Sequence, residues 1–172
     1  MFNLTTSIRT WLASTVMLAA LTPGCSNQMD SDSAGRQMSN GLGEARSGLA
    51  QTRSGVDTLS AGNRQSGIGG ITTGINVMSQ GMTDMRDGMN MMSGDMIMKC
   101  TDGGGAVLGS MQEAMDEMRI GQSMLMADAT NDDATGITHM QNGTTMMKPA
   151  LDDAQVVMNC IGHGNMMPGN MR

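Results

Sequence analysis

A seven-residue repeat is the feature of this chain that most restricts its fold. Each unit reads glycine, apolar, two polar, apolar and two polar residues, as in the consecutive units that begin at Gly41 and Gly48. The apolar positions recur in alternating steps of three and four, which places them on one face of an α-helix. A β-strand needs a step of two, and none is sustained. The repeat therefore predicts helices with one apolar seam each.

Glycine holds the position before the seam in most units. It disfavours a helix by up to about 1 kcal/mol per residue, so its phased recurrence predicts close approach between helix backbones. The alternative is that glycine is merely abundant, at 24 residues. The phased positions are Gly41, Gly48, Gly55, Gly67, Gly74, Gly81, Gly88, Gly136 and Gly143.

Breaks in the repeat predict an all-α fold with four helices. Short connections favour antiparallel neighbours, hence a four-helix up-down-up-down bundle with glycine and methionine heptads. An elongated helical hairpin or coiled coil is the alternative architecture. Pro149 lies opposite the seam of the last helix and is expected to kink it. The predicted helices cover about 34–61, 71–100, 106–128 and 133–162, with a glycine-rich turn at 62–70.

The N-terminus has the pattern of a targeting segment. Arg9 is its only charge, and the apolar stretch from Trp11 to Leu21 is shorter than the roughly 20 residues that span a bilayer. The following Thr22-Pro23-Gly24-Cys25 resembles the bacterial lipobox, in which small residues precede a lipidated cysteine. The match departs at Thr22, where leucine is usual, with Leu21 one place earlier.

The lipobox resemblance implies a bacterial lipoprotein precursor that is cleaved before Cys25 and carries lipid there. Ser26, by resemblance to enteric lipoproteins, favours the outer membrane, facing the periplasm of the cell envelope. The alternative is an ordinary secretory signal. The expected organisation is a signal peptide at 1–24, lipidated cysteine and tether at 25–33, bundle at 34–162 and tail at 163–172.

Composition excludes several classes of function. The chain has 16 acidic and 10 basic side chains, a net charge of −6, and no basic cluster that would bind nucleic acid. Phe2 and Trp11 are the only aromatic residues, so surfaces that stack on bases or sugars are missing. With two histidines, His139 and His163, the sequence has neither the Glu-x-x-His motifs of a di-iron bundle nor a haem-attachment motif. We therefore expect no enzymatic activity.

Methionine is the unusual component. All but four of the 24 methionines lie between Met78 and Met171, whereas the seam of the first helix uses leucine and valine. One interpretation is that methionine fills the core, because its thioether is apolar and adaptable. A second is that the thioethers bind a soft monovalent ion, Cu(I) or Ag(I). A third is an oxidant sink that cycles through methionine sulfoxide.

The metal interpretation draws on a weak similarity to methionine-rich periplasmic copper- and silver-binding helical proteins, which is clearest in the tail from His163 to Met167. It predicts a lipid-anchored envelope protein that binds or buffers Cu(I) or Ag(I). The alternative is a structural or interaction lipoprotein without metal, and protein partners are not indicated. The candidate ligands are Met78, Met82, Met85, Met89, Met92, Met96, Met98, Met111, Met115, Met118, Met140, Met147, Met158, His163, Met166 and Met167.

Two cysteines remain after Cys25. Cys100 and Cys160 each close an even-numbered predicted helix, and these two helices run parallel in an up-down-up-down bundle. Both cysteines should therefore reach the same end, where a disulfide is predicted. The alternative is a thiolate site that Cys100 and Cys160 form with His163.

Overall fold

The structure, a computed structural model, describes residues 26–92, 100, 104–127 and 133–164. These residues form four α-helices and no strand, which confirms the all-α prediction. None of the helices within the described ranges is long and apolar enough to cross a membrane. The helices are α1 (Ser26–Ser60), α2 (Arg64–Asn90), α3 (Gly104–Met126) and α4 (Asp133–Gly164).

The connection between α1 and α2 is much shorter than the predicted turn at 62–70. Gly62 adopts a φ of +90°, which glycine tolerates without a Cβ clash. The Asn63 side chain then accepts a hydrogen bond from the Ser66 backbone N–H and caps α2. Gly67 is buried inside α2, where a Cβ would lie 2.7 Å from the backbone nitrogen of Leu59. This glycine serves helix contact and not chain reversal.

The second helix also ends earlier than predicted. It stops at Asn90 instead of near residue 100, and its last turn closes with hydrogen bonds from Met91 N to Asp87 O and from Met92 N to Met89 O. The predicted bounds of the other helices agree with the structure within a few residues at α3 and α4, and α1 begins earlier, at Ser26.

Glycine brings α1 and α2 together along their whole length. Gly48 faces Gly74: a Cβ on Gly48 would lie 2.5 Å from the Gly74 carbonyl oxygen and 2.6 Å from the Met78 nitrogen. The same antiparallel relation pairs Gly41 with Gly81. The close backbone approach predicted from the phased glycines is therefore present in this hairpin.

A second hairpin, α3 with α4, uses the same device over a shorter length. A Cβ on Gly121 would lie 2.6 Å from the Gly136 carbonyl oxygen, and one on Gly143 would lie 2.7 Å from the Ala114 carbonyl oxygen. The hairpins then meet through α1 with α4 and α2 with α3. Polar bridges mark both contacts, Arg46 to Gln155 and Gln122 to Thr72. All four neighbouring pairs run antiparallel, as predicted.

Methionine and glycine pack against each other across the hairpins. Cγ of Met78 lies over Gly48, Cγ of Met140 over Gly121, and Cγ of Met118 over Gly143. The absent glycine side chain leaves the room that the methionine stem occupies. At the turn ends of the hairpins the equivalent places over Gly55 and Gly136 are taken by Ile71 and Leu125. Branched side chains therefore fit this arrangement as well.

Candidate metal centre

Most of the predicted methionine ligands lie in the central core. Their exposed fractions are between 0 % and 4 %, and they pack in one apolar cluster with leucine, isoleucine and alanine. Burial of this kind is what a core-filling role requires. These residues are Met78, Met82, Met85, Met111, Met115, Met118, Met140 and Met147.

Four methionines, one of which is the core residue Met85, line a pocket at the end of the bundle that carries the cysteines. Met38 comes from α1, Met85 and Met89 from α2, and Met158 from α4. We call these four side chains and their cavity the methionine pocket. Its remaining described lining is aliphatic: Val107, Leu108, Ala154 and Val157.

The cavity in the methionine pocket is small. The space open to a water-sized sphere is about 10 Å³, which is roughly what a single such sphere occupies. A bare monovalent metal ion is smaller than a water molecule, whereas an organic ligand is far larger. The volume therefore suits one small ion better than an organic ligand.

The two hairpins differ in sequence at this end. In α1 and α2 the small residues continue to the end, and a Cβ on Gly88 would lie 2.9 Å from the Ala34 carbonyl oxygen. In α3 the small contact residues Gly121 and Ala114 recur every seven residues, and the next position in this series is Val107. A valine side chain at the contact position keeps two helices further apart than glycine does.

Two of the four pocket methionines have stems that are fixed by packing. Cγ of Met38 lies over Gly88, at 2.6 Å from where a Cβ would stand, and Cγ of Met85 lies over Gly41, at 3.0 Å from such a position. Met89 and Met158 are only half-buried. The pocket thus combines two methionines whose stems are packed on glycine with two that are partly exposed.

The electrostatic character of the pocket selects among ions. All of its described lining side chains are uncharged, and nowhere in the described ranges do three or more His, Cys, Asp or Glu side chains form a potential metal group. Burying an ion without a counter-charge is costly, and the cost rises with the square of the charge. A neutral sulfur-rich pocket therefore favours a soft monovalent ion over a divalent one.

Two other methionines lie beside positively charged side chains and are poorer candidates for metal ligands. Met82 and Met115 line a separate cavity between α2 and α3, of about 50 Å³. Arg86 and Arg119 line the same cavity. Two guanidinium groups repel a metal cation, so this cavity does not compete with the methionine pocket as an ion site.

The predicted cysteine pair is present beside the methionine pocket. The Sγ atoms of Cys100 and Cys160 are 2.10 Å apart, as in a disulfide bond, and their Cα atoms are 5.8 Å apart. Cys160 is exposed, whereas Cys100 is half-buried. Cys100 packs against a cluster of buried residues, which also contacts three lining residues of the pocket, Met89, Val107 and Met158. That cluster consists of Ala34, Met38, Met92, Val157 and Ile161.

The structure adds Met38 to the predicted ligands. Its seam position alone made it look like a core residue of α1, because the neighbouring seam residues are leucines. Folding the glycine hairpin places it against α2, at the level of Gly88 and the C-terminal methionines of that helix. Of the predicted ligands, Met85, Met89 and Met158 line the pocket, and Met92 belongs to the adjoining cluster.

Three exposed methionines and the histidine of α4 that the structure describes lie away from this site. Met91, Met126 and Met146 are exposed at 45 %, 62 % and 42 %. The His139 Nδ1 lies 2.8 Å from Glu117 Oε1, in a half-buried contact between α3 and α4. The residues Cys25, Met96, Met98, Met166 and Met167, and the side chain of His163, lie outside what the structure describes.

Comparison with known proteins adds no relative to this picture. No protein family, curated protein or solved structure matches the chain.

Proposed function

We propose that this protein is a lipid-anchored protein of the bacterial cell envelope that binds Cu(I) or Ag(I) in the methionine pocket. Four thioethers from three helices around a one-ion cavity are the observation that supports this proposal. Thioethers are soft, neutral ligands that select soft monovalent ions. The protein would protect the envelope by sequestering the ion and not by catalysis.

Thioethers suit the compartment that the lipobox resemblance implies. In an oxidising envelope free cysteines pair as disulfides, as Cys100 and Cys160 do here. Methionine remains an available ligand at any physiological pH, because the thioether carries no proton to lose. An ion held by neutral ligands in a shallow end pocket also exchanges with partners more readily than one held by thiolates, which suits a buffer.

The test compares two sets of four Met→Leu substitutions in the full chain, purified in detergent. The pocket variant replaces Met38, Met85, Met89 and Met158, whereas the core variant replaces Met111, Met118, Met140 and Met147. Leucine preserves volume and helix propensity while it removes sulfur. In each set two methionines lie over glycine and two do not. The two variants therefore differ in the position of the lost sulfurs and not in their number.

Titration of Cu(I) against a competing chelator, without oxygen, separates the outcomes. We expect wild type and the core variant to bind one ion in the pocket and the pocket variant to lose it, with helicity retained in all three. Equal binding by the pocket and core variants would contradict the assignment of the site. No binding by wild type would leave the alternative, a structural or interaction lipoprotein in which methionine fills the core.

A further inference from the structure

The disulfide lies beside the methionine pocket, at an end of the bundle where the glycine hairpins and the central core also join α1, α2, α3 and α4. Cys100 packs on the cluster that contains Met38 and Met92 and that Met89 and Met158 also contact. Cys100 thus lies next to methionines of the pocket, although it does not itself line the cavity.

We propose that reduction of the Cys100–Cys160 disulfide converts the methionine pocket from a thioether site into a mixed thiolate–thioether site, with Cys100 as the added ligand. This inference rests on the proposed function and concerns its regulation. Oxidised protein holds the ion weakly and exchanges it. Reduced protein holds the ion tightly.

Charge is the physical reason for the change in affinity. In the oxidised protein an ion in the pocket brings one uncompensated positive charge among uncharged described lining residues, which is unfavourable in an apolar site. A Cys100 thiolate supplies one negative charge, so the ion and its ligands become neutral together. Thiolate is also the soft ligand that binds Cu(I) most strongly among protein side chains.

The redox step is an ordinary thiol–disulfide exchange. A dithiol reductant supplies two electrons and two protons: its own two sulfurs become a disulfide, and Cys100 and Cys160 become thiols. When Cys100 binds the ion, its thiol proton passes to solvent. The exposed Cys160 is the sulfur that an incoming thiolate can reach, which leaves Cys100 as the departing sulfur beside the pocket.

The two cysteines should therefore be unequal after reduction. Cys100 is half-buried on the cluster of pocket methionines, whereas Cys160 is exposed on α4. Of the two cysteines, Cys100 is the one that packs beside methionines of the pocket. A thiol at Cys160 offers the weaker, solvent-exposed binding that any surface cysteine offers.

The experiment uses the full chain in detergent, reduced with a dithiol, desalted without oxygen and titrated with Cu(I) against a competing chelator. The proteins are wild type, Cys160→Ser, Cys100→Ser, and the pocket Met→Leu variant combined with each cysteine variant. Cys25 is common to all of them, so its contribution cancels. The double variant Cys100→Ser with Cys160→Ser, followed by circular dichroism, shows whether the bundle folds without the disulfide.

We expect reduction to tighten Cu(I) binding by wild type about 100-fold, which corresponds to about 2.8 kcal/mol. Cys160→Ser should keep most of this gain and Cys100→Ser should lose it. The gain from Cys100 should also shrink when the pocket methionines are leucine, because the ligands act on one ion. Equal gains from the two cysteines, or a gain unaffected by the leucines, would overturn the inference. If oxidised wild type binds no ion, the proposed function itself fails; if it binds and reduction changes nothing, only this inference fails.

Discussion

Alanine at Gly48 is the sharpest test of close packing between α1 and α2. A Cβ at this position would lie 2.5 Å from the Gly74 carbonyl oxygen and 2.6 Å from the Met78 nitrogen. Both atoms belong to the backbone of α2, so neither can turn aside as a flexible side chain does. The helices must separate to admit one methyl group, and the contacts on either side of it are weakened.

Two opposing contributions set the size of the effect. Alanine improves helix propensity over glycine by about 1 kcal/mol. Overpacking in a tight contact costs about 1–3 kcal/mol. Because the obstacle at Gly48 is rigid backbone, we expect the cost of adding a methyl group there to reach or exceed the upper end of this range. We therefore expect Gly48→Ala to lower the free energy of unfolding by about 2 kcal/mol, or the melting temperature by roughly 4–8 °C.

Gly43→Ala is the matched control for this substitution. Gly43 lies five residues away in the same helix, is exposed, and has nothing within 4 Å of a built Cβ. Alanine there should stabilise the protein by up to about 1 kcal/mol through helix propensity alone. Thermal unfolding followed by circular dichroism measures both. Shifts of the same sign at the two positions would refute the claim that glycine serves backbone contact.

Three further predictions concern single side chains. Arg64 donates to both carboxylate oxygens of Asp133, at 3.1 and 3.2 Å, and to the Leu125 carbonyl at the end of α3. Because this group is half-exposed, Arg64→Ala should lower the free energy of unfolding by about 1 kcal/mol. An unchanged denaturation midpoint would refute this prediction. A hydrogen bond from the Lys148 ammonium holds the pKa of Asp152 below its usual value. Lys148→Met should therefore raise the pKa of Asp152 in an NMR titration. The contribution of this pair to stability is present above the usual aspartate pKa and is lost as the pH falls through the lowered pKa of Asp152. Cys25→Ala should move the protein from the detergent to the aqueous phase in partitioning, and equal partitioning of the two forms would contradict lipidation.

The seam of each helix could be predicted because burial and period are linked. Residues three and four apart share a helix face, so the inward positions of α3, such as Met111, Ala114 and Met118, follow from spacing alone. The turn was harder to predict, because glycine both reverses chains and permits close packing. Gly67 lies seven residues before Gly74 and is in phase with it. The seven-residue spacing of these glycines, and not the local abundance of glycine, therefore indicates that Gly67 belongs to the helix.

The site could be predicted only in part, since it depends on how helices align with one another. Met78 and Met85 occupy equivalent seam positions seven residues apart and both belong to the central core, yet of the two only Met85 also lines the pocket. Nothing within α2 distinguishes them. The difference comes from the antiparallel pairing that brings Met38 of α1 to the end of the bundle where Met85 lies.

The central claim is tested most directly by X-ray absorption at the copper edge. The sample is full-length protein with its disulfide intact, loaded with one equivalent of Cu(I). The proposal predicts monovalent copper with sulfur neighbours only, at thioether distances, and loss of this signal in the pocket Met→Leu variant but not in the core variant. Copper with nitrogen or oxygen neighbours, or a sulfur shell that survives in the pocket variant, would contradict the assignment of the metal to Met38, Met85, Met89 and Met158.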